Sequence, residues 1–196
     1  MKVYKFGGAS VKDASGVRNL KEIVAYAGDD LMVVISAMGK TTNALERLVA
    51  ALAQKDEATA DNEWLAVLDY HVHLAMELGL KPNEDIRFPM MPEYDHTCSY
   101  DQNYDQIVSQ GEILSTQIVA VYLLKSGIRT EWWNMPKLLQ TDDTWREAQV
   151  DLQTSAQVIA AGWNRTARPR VVVAQGFIGG TKDGLRTTLG REGSDY

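Results

Sequence analysis

The first 35 residues carry the pattern that most limits the fold, because two apolar segments enclose one amphipathic segment. Residues 3–6 predict a short strand, and residues 31–35 are a continuous apolar run typical of a parallel strand buried on both faces. The apolar residues between them recur at helical spacing: Val17, Leu20, Ile23 and Val24. Ser10 or Asp13 can begin this helix. A strand–helix–strand unit requires a right-handed crossover and predicts a layered α/β domain.

The rest of the chain continues the alternation of helices and strands. Helices are predicted over residues 44–54, 62–78, 104–124 and 152–161, and strands over residues 128–133, 137–140 and 170–175. Residues 177–188 predict a hairpin with an Asp-Gly turn, and residues 81–100 predict an irregular, lid-like loop with three prolines. We therefore expect a three-layer αβα sandwich with an open, mainly parallel sheet.

Composition and charge limit the partners. The chain has 20 basic and 26 acidic residues, for a net charge of −6, so no basic stripe is present to bind nucleic acid or an anionic membrane. A nucleotide needs only a few cations and is not excluded. No apolar stretch approaches the ~20 residues that span a bilayer, and no signal segment is evident. The single cysteine, Cys98, fits a reducing compartment, so we expect a cytoplasmic protein without a membrane partner.

Ligands of open parallel sheets bind at the carboxyl ends of the strands, and the first such end carries a glycine pair. Gly7 and Gly8 would let backbone N–H groups approach phosphate oxygens, and Lys5 would add a positive charge. The segment lacks the Walker A spacing and the dinucleotide-binding pattern. The alternative is an ordinary tight turn.

Two further segments repeat this combination of small and polar residues. Residues 36–43 include Ser36 and Thr42, although Thr42 and Asn43 could simply cap the helix predicted from residue 44. Residues 187–196 place Arg191, a planar fork for a carboxylate or phosphate, between two glycines. Ser194 and Asp195 are good helix-capping residues, so we expect a helix to begin there and the rest of the site to lie beyond residue 196.

Glu112 lies within an otherwise apolar helical stretch. A carboxylate in that setting is costly to bury unless it meets a cation, so an inward-facing Glu112 predicts an ammonium partner. The alternative is a surface-facing side chain. His71 and His73 are two residues apart on a predicted helix, so they face different directions and cannot hold a metal together. We expect no metal site built by the protein.

Five segments, taken together, resemble the aspartate kinases of the amino acid kinase superfamily. They are residues 5–10, 36–43, 111–115, 175–179 and 187–195, and they match in order along the chain. The resemblance implies the amino acid kinase fold and phosphoryl transfer from ATP, with Mg²⁺ carried by the nucleotide. The acceptor would be the side-chain carboxylate of L-aspartate, giving 4-phospho-L-aspartate for lysine, threonine and methionine biosynthesis.

The resemblance also implies residue roles. Lys5, Gly7 and Gly8 would lie by the transferring phosphates, and Asp195 would orient Lys5, which makes Lys5 and Asp195 the catalytic pair. The implied aspartate site consists of Ser36, Thr42, Glu112, Arg191 and Ser194. An amino acid offers an ammonium group for Glu112 and an α-carboxylate for Arg191, which agrees with the reading of the residues themselves. The attacking carboxylate is already ionised at neutral pH, so no general base is needed.

The chain departs from the family pattern at Ala9, at residues 134–136 and at Glu192. The family continues with a nucleotide-binding half and ACT regulatory domains. We therefore expect residues 1–196 to be the N-terminal, amino-acid-binding part of an amino acid kinase domain, inactive alone, from a homodimeric full-length enzyme.

Two alternatives remain. The first is a non-catalytic, truncated homologue that binds a small acid or a full-length subunit. The second is a sibling kinase acting on glutamate, N-acetylglutamate, carbamate or UMP. Glu112 argues against N-acetylglutamate, carbamate and UMP, because none of them has a free ammonium group.

Overall fold

Four parallel strands form the central sheet. The computed structural model describes residues 2–27, 30–164 and 171–190. The strands are β1 (Lys2–Phe6), β2 (Leu31–Ile35), β3 (Thr130–Trp133) and β4 (Val171–Gln175), in the spatial order β1-β2-β4-β3. Each neighbouring pair is parallel. The prediction of an open parallel sheet is confirmed.

The helices follow the strands in the order that crossover connections require. They are α1 (Ala14–Tyr26), α2 (Thr41–Gln54), α3 (Glu57–Glu77), α4 (Tyr100–Val108), α5 (Gln110–Lys125) and α6 (Leu152–Trp163). Short 3-10 turns cover Gly8–Val11 and Met135–Lys137. Asp13 begins α1, because its carboxylate accepts a hydrogen bond from the Gly16 amide at 2.8 Å.

The two faces of the sheet bury alternate residues, which produces three layers. Leu31, Val33 and Ile35 of β2 lie in one core with α1 and α5. Met32 lies on the opposite face, in a second core with Trp163 of α6. A third cluster joins α2, α3 and α4 beside the sheet.

A two-stranded antiparallel hairpin follows β4. Its strands are β5 (Ile178–Gly180) and β6 (Arg186–Thr188). Gly184 in the connecting turn has a φ of +85°, a conformation that glycine adopts readily and most other residues do not. The predicted hairpin and its Asp-Gly turn are confirmed.

Several predicted helix boundaries are wrong. Helix α2 begins at Thr41, three residues earlier than predicted, with Lys40 at the N-cap, so Thr42 and Asn43 do not cap it. Helix α3 begins at Glu57 because the Asp56 carboxylate caps it by accepting from the Thr59 amide at 3.1 Å. A side-chain cap therefore extends α3 beyond its apolar pattern.

The single helix predicted over residues 104–124 is in fact two helices, α4 and α5, which meet at Ser109. The Ser109 hydroxyl donates to the Gln106 carbonyl at 3.2 Å, and such bonds compete with the regular helical ladder. The strand predicted over residues 137–140 is also wrong, because Lys137 ends a 3-10 turn and Gln140 forms no more than an isolated bridge, to Gly180. Residues 81–99 form the predicted irregular connection, with one isolated bridge between Pro82 and Ile86.

The segment Tyr100–Lys125 is long and apolar enough to cross a membrane by length and composition alone. However, 67% of its most apolar window is buried inside the protein. Ile107, Leu114 and Ile118 of this segment are fully buried in the cores. The apolar character of α4 and α5 is thus explained by packing within the domain.

Candidate functional site

The loops after β1 and β2 are packed directly against each other. The Gly39 amide donates to the Gly8 carbonyl at 3.0 Å, and a Cβ on Gly8 would lie 2.3 Å from the Ala37 carbonyl oxygen. Residue 8 must therefore be glycine for this contact to form. A Cβ on Gly7 would meet nothing within 4 Å, so the space beside Gly7 is open. The glycine pair thus combines one packing glycine with one accessible backbone position.

The first turn of α5 reaches the same place. A Cβ on Gly111 would lie 2.9 Å from the Ala37 Cβ and 3.3 Å from the Thr41 side chain. Glycine at this position allows α5 to lie against the loop after β2 and the start of α2. The next residue, Glu112, therefore lies beside the loop that follows β2.

Glu112 points into the protein, which answers the question that the sequence left open. Only 2% of the residue is exposed. Its Oε1 accepts a hydrogen bond from the Ala37 amide at 3.2 Å, whereas its Oε2 has no partner among the described residues. Burial raises the pKa of Glu112 to about 7, and the bond from Ala37 only partly offsets this effect. A buried carboxylate with one oxygen that lacks a described partner is well suited to bind a cation.

Three other predicted residues flank these loops. Ser36 continues the sheet, since its amide donates to the Phe6 carbonyl at 3.2 Å, and its carbonyl accepts from the Ser115 hydroxyl at 3.0 Å. Thr42 is half-buried in the first turn of α2. Lys5 is exposed on β1, opposite Val34 of β2.

A second buried carboxylate, Asp105, was missed by the sequence analysis. It accepts bonds from the Thr188 amide at 3.0 Å, the Thr188 hydroxyl at 2.6 Å and the Arg146 amide at 3.0 Å. The pKa of Asp105 is raised, because the effect of burial is only partly offset by these hydrogen bonds. Asp105 fixes the end of β6, two residues before Gly190. A carboxylate beside Ile107 and Val108 is the sequence signal that could have revealed it.

Three predicted site residues, Arg191, Ser194 and Asp195, lie outside the described residues, as does Glu192. The chain leading towards them is held in place, because the Leu189 amide donates to the Phe177 carbonyl at 2.9 Å. Across residues 2–27, 30–164 and 171–190, no group of three or more His, Cys, Asp or Glu side chains could hold a metal ion.

Known aspartokinases match this chain along nearly its whole length. The chain is 30% identical over 202 residues to lysine-sensitive aspartokinase 3 of Escherichia coli (strain K12), covering 99% of this chain and 44% of that protein. It is 28% identical over 199 residues to the aspartokinase of Chlamydia muridarum (strain MoPn / Nigg), covering 99% of this chain and 43% of that protein. The chain thus spans less than half the length of these relatives.

The fold also matches a solved structure. The crystal structure of E. coli aspartokinase III in complex with aspartate and ADP (R-state) superposes with a TM-score of 0.79 at 25% identity. The match covers 100% of this chain and 45% of that chain. The α/β fold and the resemblance to aspartate kinases are therefore confirmed. Residues 1–196 as a whole match the amino acid kinase family, and the chain belongs to it.

Proposed function

We propose that this chain forms the aspartate-binding part of an aspartate kinase, which transfers the γ-phosphoryl group of ATP to the side-chain carboxylate of L-aspartate. The observation that carries the proposal is Glu112, a buried carboxylate with one oxygen unpartnered among the described residues at the carboxyl end of β2. A free ammonium group would balance the charge of this carboxylate and donate a hydrogen bond to its unpartnered oxygen. The similarity to aspartokinases supports aspartate as the amino acid.

In this proposal each of the two α-substituents of aspartate has its own binding residue. Glu112 binds the ammonium group and Arg191 binds the α-carboxylate, with Ser36, Thr42 and Ser194 beside them. The side-chain carboxylate is left free to attack the γ-phosphorus, and the bond from that phosphorus to the β,γ-bridging oxygen breaks. ADP and 4-phospho-L-aspartate result. Because the nucleophile is already ionised, the protein has only to position it and to stabilise charge on the phosphoryl oxygens.

The nucleotide phosphates fit beside the glycine pair. The open space at Gly7 lets phosphate oxygens approach the backbone, and Lys5 neutralises charge on the phosphoryl group with Asp195 orienting it. Mg²⁺ arrives on the nucleotide and supplies further neutralisation of phosphate charge. Contacts to adenine and ribose, and the ACT regulatory domains, belong in this proposal to the part of the relatives that this chain does not span.

The resemblance supports a biosynthetic pathway and an oligomeric state, and the composition supports a cellular location. We infer a cytoplasmic enzyme of lysine, threonine and methionine biosynthesis that forms a homodimer at full length.

Calorimetry of aspartate binding tests the proposal directly. L-aspartate should bind the chain, whereas N-acetyl-L-aspartate, which lacks the ammonium group, should bind at least tenfold more weakly, since a charge-assisted hydrogen bond contributes ~1.5–3 kcal/mol. Glu112→Gln should abolish this preference, and the exposed control Glu77→Gln should keep it. Equal binding of both ligands by the unaltered chain would overturn the proposal.

Turnover is a separate measurement. In a hydroxamate assay with aspartate and MgATP, we expect none from residues 1–196, because ATP has only phosphate contacts there. In a chain of the relatives' length, Lys5→Ala should lower kcat by ~100-fold with a smaller change in the KM for aspartate. Aspartate binding without turnover in that longer chain would favour the non-catalytic homologue.

A further inference from the structure

A cleft of about 600 Å³ lies between the β5–β6 hairpin, α6 and the turn after β3. We call it the hairpin cleft, and its charged lining residues are Lys137, Lys182 and Arg186. No acidic residue is among its described lining residues. Gly7, Gly8, Ser36, Thr42 and Glu112 do not line it either, so it is separate from the candidate aspartate site.

The hairpin cleft is held together by tight packing. A Cβ on Gly180 would lie 2.1 Å from the Pro136 carbonyl oxygen, and the Gly180 amide donates to the Leu139 carbonyl at 3.0 Å. The Thr141 amide returns a bond to the Gly180 carbonyl at 2.9 Å. These contacts fix the segment that carries Lys137 against the hairpin that carries the other two cations.

Arg186 is the most constrained of the three cations. Its Nη2 donates to the Gln106 backbone carbonyl at 2.7 Å, and the Gln110 amide oxygen, in the orientation that satisfies both groups, accepts from Nη1 at 3.0 Å. Both partners are neutral. Burial lowers the pKa of Arg186, as expected for a partly desolvated guanidinium without a counter-ion. Within the described ranges, Arg186 forms no ion pair.

The two lysines are also available to a ligand. Neither Lys137 nor Lys182 forms a salt bridge with another described residue, and both are exposed at the edge of the hairpin cleft. Hydrogen bonds from Thr154 lower the pKa of Asp151, and nearby Lys182 lowers it slightly further. However, the Asp151 carboxylate accepts from the Thr154 amide at 3.0 Å and the Thr154 hydroxyl at 2.6 Å, as the cap of α6. It does not line the hairpin cleft.

We propose that the hairpin cleft binds a small phosphorylated molecule. Three cations on two separate segments, the turn after β3 and the β5–β6 hairpin, suit a phosphate group, which carries multiple charges and presents several acceptor oxygens in different directions. The cleft is larger than one phosphate needs and lies within the usual range of small-molecule pockets, about 300–1,000 Å³. Ile113, Leu138 and Val158 provide an apolar wall for the rest of the molecule. This site is additional to the proposed kinase site and does not depend on it.

The test is an NMR titration of the ¹⁵N-labelled 21.8 kDa chain with sodium pyrophosphate, without divalent cations, against sodium chloride at matched ionic strength. We expect saturable shifts at the amides of residues 137–138 and 180–186. Shifts confined to residues 7–9, or a response that does not saturate, would overturn the proposal. Citrate at the same ionic strength should bind more weakly than pyrophosphate, and tighter binding of citrate would contradict a phosphate site.

Charge-removing variants locate the site. Lys137→Gln and Lys182→Gln should each raise the Kd for pyrophosphate by about tenfold or more, as expected for loss of one charge-assisted contact. Lys55→Gln removes the same charge at an exposed residue outside the hairpin cleft and should leave the Kd unchanged. Equal weakening by all three variants would indicate non-specific attraction and overturn the proposal. Because both lysines are exposed, the test does not depend on an Arg186 variant that could misfold.

Discussion

The backbone amide of Ala37 donates to Oε1 of Glu112 at 3.2 Å, across 75 positions of sequence. This bond connects the loop after β2 to the first turn of α5. It holds one carboxylate oxygen and leaves Oε2 without a described partner. The ionised form of this buried carboxylate is therefore unfavourable without a partner. Such a carboxylate is typical of a site that binds a cation.

We predict that Glu112→Gln stabilises the ligand-free chain while it weakens aspartate binding. The pKa of Glu112 is raised from 4.5 to about 7, so between these values the folded state binds more protons than the unfolded state. The contribution of Glu112 to stability must then fall as the pH rises through this window. The glutamine variant escapes that penalty and should be more stable at pH 8 by about 1–3 kcal/mol in urea unfolding. A destabilised variant would show that Glu112 supports the fold rather than a ligand.

Aspartate affinity should depend on pH through the same group. Binding an ammonium favours ionised Glu112, so below a pH of about 7 the complex must release a proton to form. The Kd for aspartate should rise by up to about tenfold per pH unit as the pH falls from 7 to 5. Calorimetry in buffers of different ionisation enthalpy measures the released proton. The Glu112→Gln chain should show neither effect, which removes any contribution from ionisation of aspartate itself.

The two glycines after β1 should respond differently to alanine. Gly8→Ala places a Cβ 2.3 Å from the Ala37 carbonyl oxygen, so the two loops must separate, at a cost of about 1–3 kcal/mol. Gly7→Ala meets no atom within 4 Å, and the φ of Gly7 is −70°, which alanine adopts freely. Thermal unfolding should show a lower Tm for Gly8→Ala alone. Comparable losses in both variants would contradict the division between a packing and an open glycine.

The sequence predicted the elements whose signals are local. Strands β2 and β4 are continuous apolar runs, and α1 has both helical spacing and the Asp13 cap. The turn at residues 135–137 was missed because its conformation is fixed from a distance. The Met135 amide donates to the Gln175 side chain at 2.8 Å, from 40 residues away. No local pattern contains that information.

The same distinction applies to the candidate site. Gly7, Gly8 and Ser36 follow apolar strands directly, so their position at the carboxyl end of the sheet could be predicted. The apolar neighbours of Asp105 could have indicated its burial, but its partner Thr188, 83 residues further along the chain, could not be predicted. The direction of Glu112 was equally open in the sequence. Its inward side chain meets the Ala37 amide, 75 positions away along the chain, and no local pattern indicates that contact.

Asp105 should matter much more for stability than its neighbour Asp101. Asp105→Ala removes the oxygen that accepts from two backbone amides and the one that accepts from the Thr188 hydroxyl, leaving buried donors unpaired at about 1–3 kcal/mol each. Asp101→Ala removes an exposed ion pair with Arg146, worth ~0.2–1 kcal/mol. Urea unfolding of both variants tests the difference. Similar small losses would mean that water replaces the Asp105 bonds.

His71, which is fully buried in α3, should make the protein less stable in acid. Its Nδ1 donates to the Val67 carbonyl at 2.7 Å, and its Nε2 has no partner among the described residues. Burial lowers the pKa of His71 from 6.5 to about 4. Between these values His71 binds more protons in the unfolded state than in the folded state, so its contribution to stability must fall as the pH drops from 6.5 towards 4, by on the order of 3 kcal/mol.

In the same window Glu112 acts in the opposite direction, so the two slopes partly cancel in the unaltered chain. Each single variant should expose the other residue's slope. His71→Leu should make stability fall as the pH rises from 4.5 to 6.5, and Glu112→Gln should make it rise. The exposed control His73→Gln should leave the unaltered profile in place. Urea unfolding at half-unit pH steps gives these slopes. An unchanged profile in His71→Leu would show that His71 carries no net proton change on unfolding.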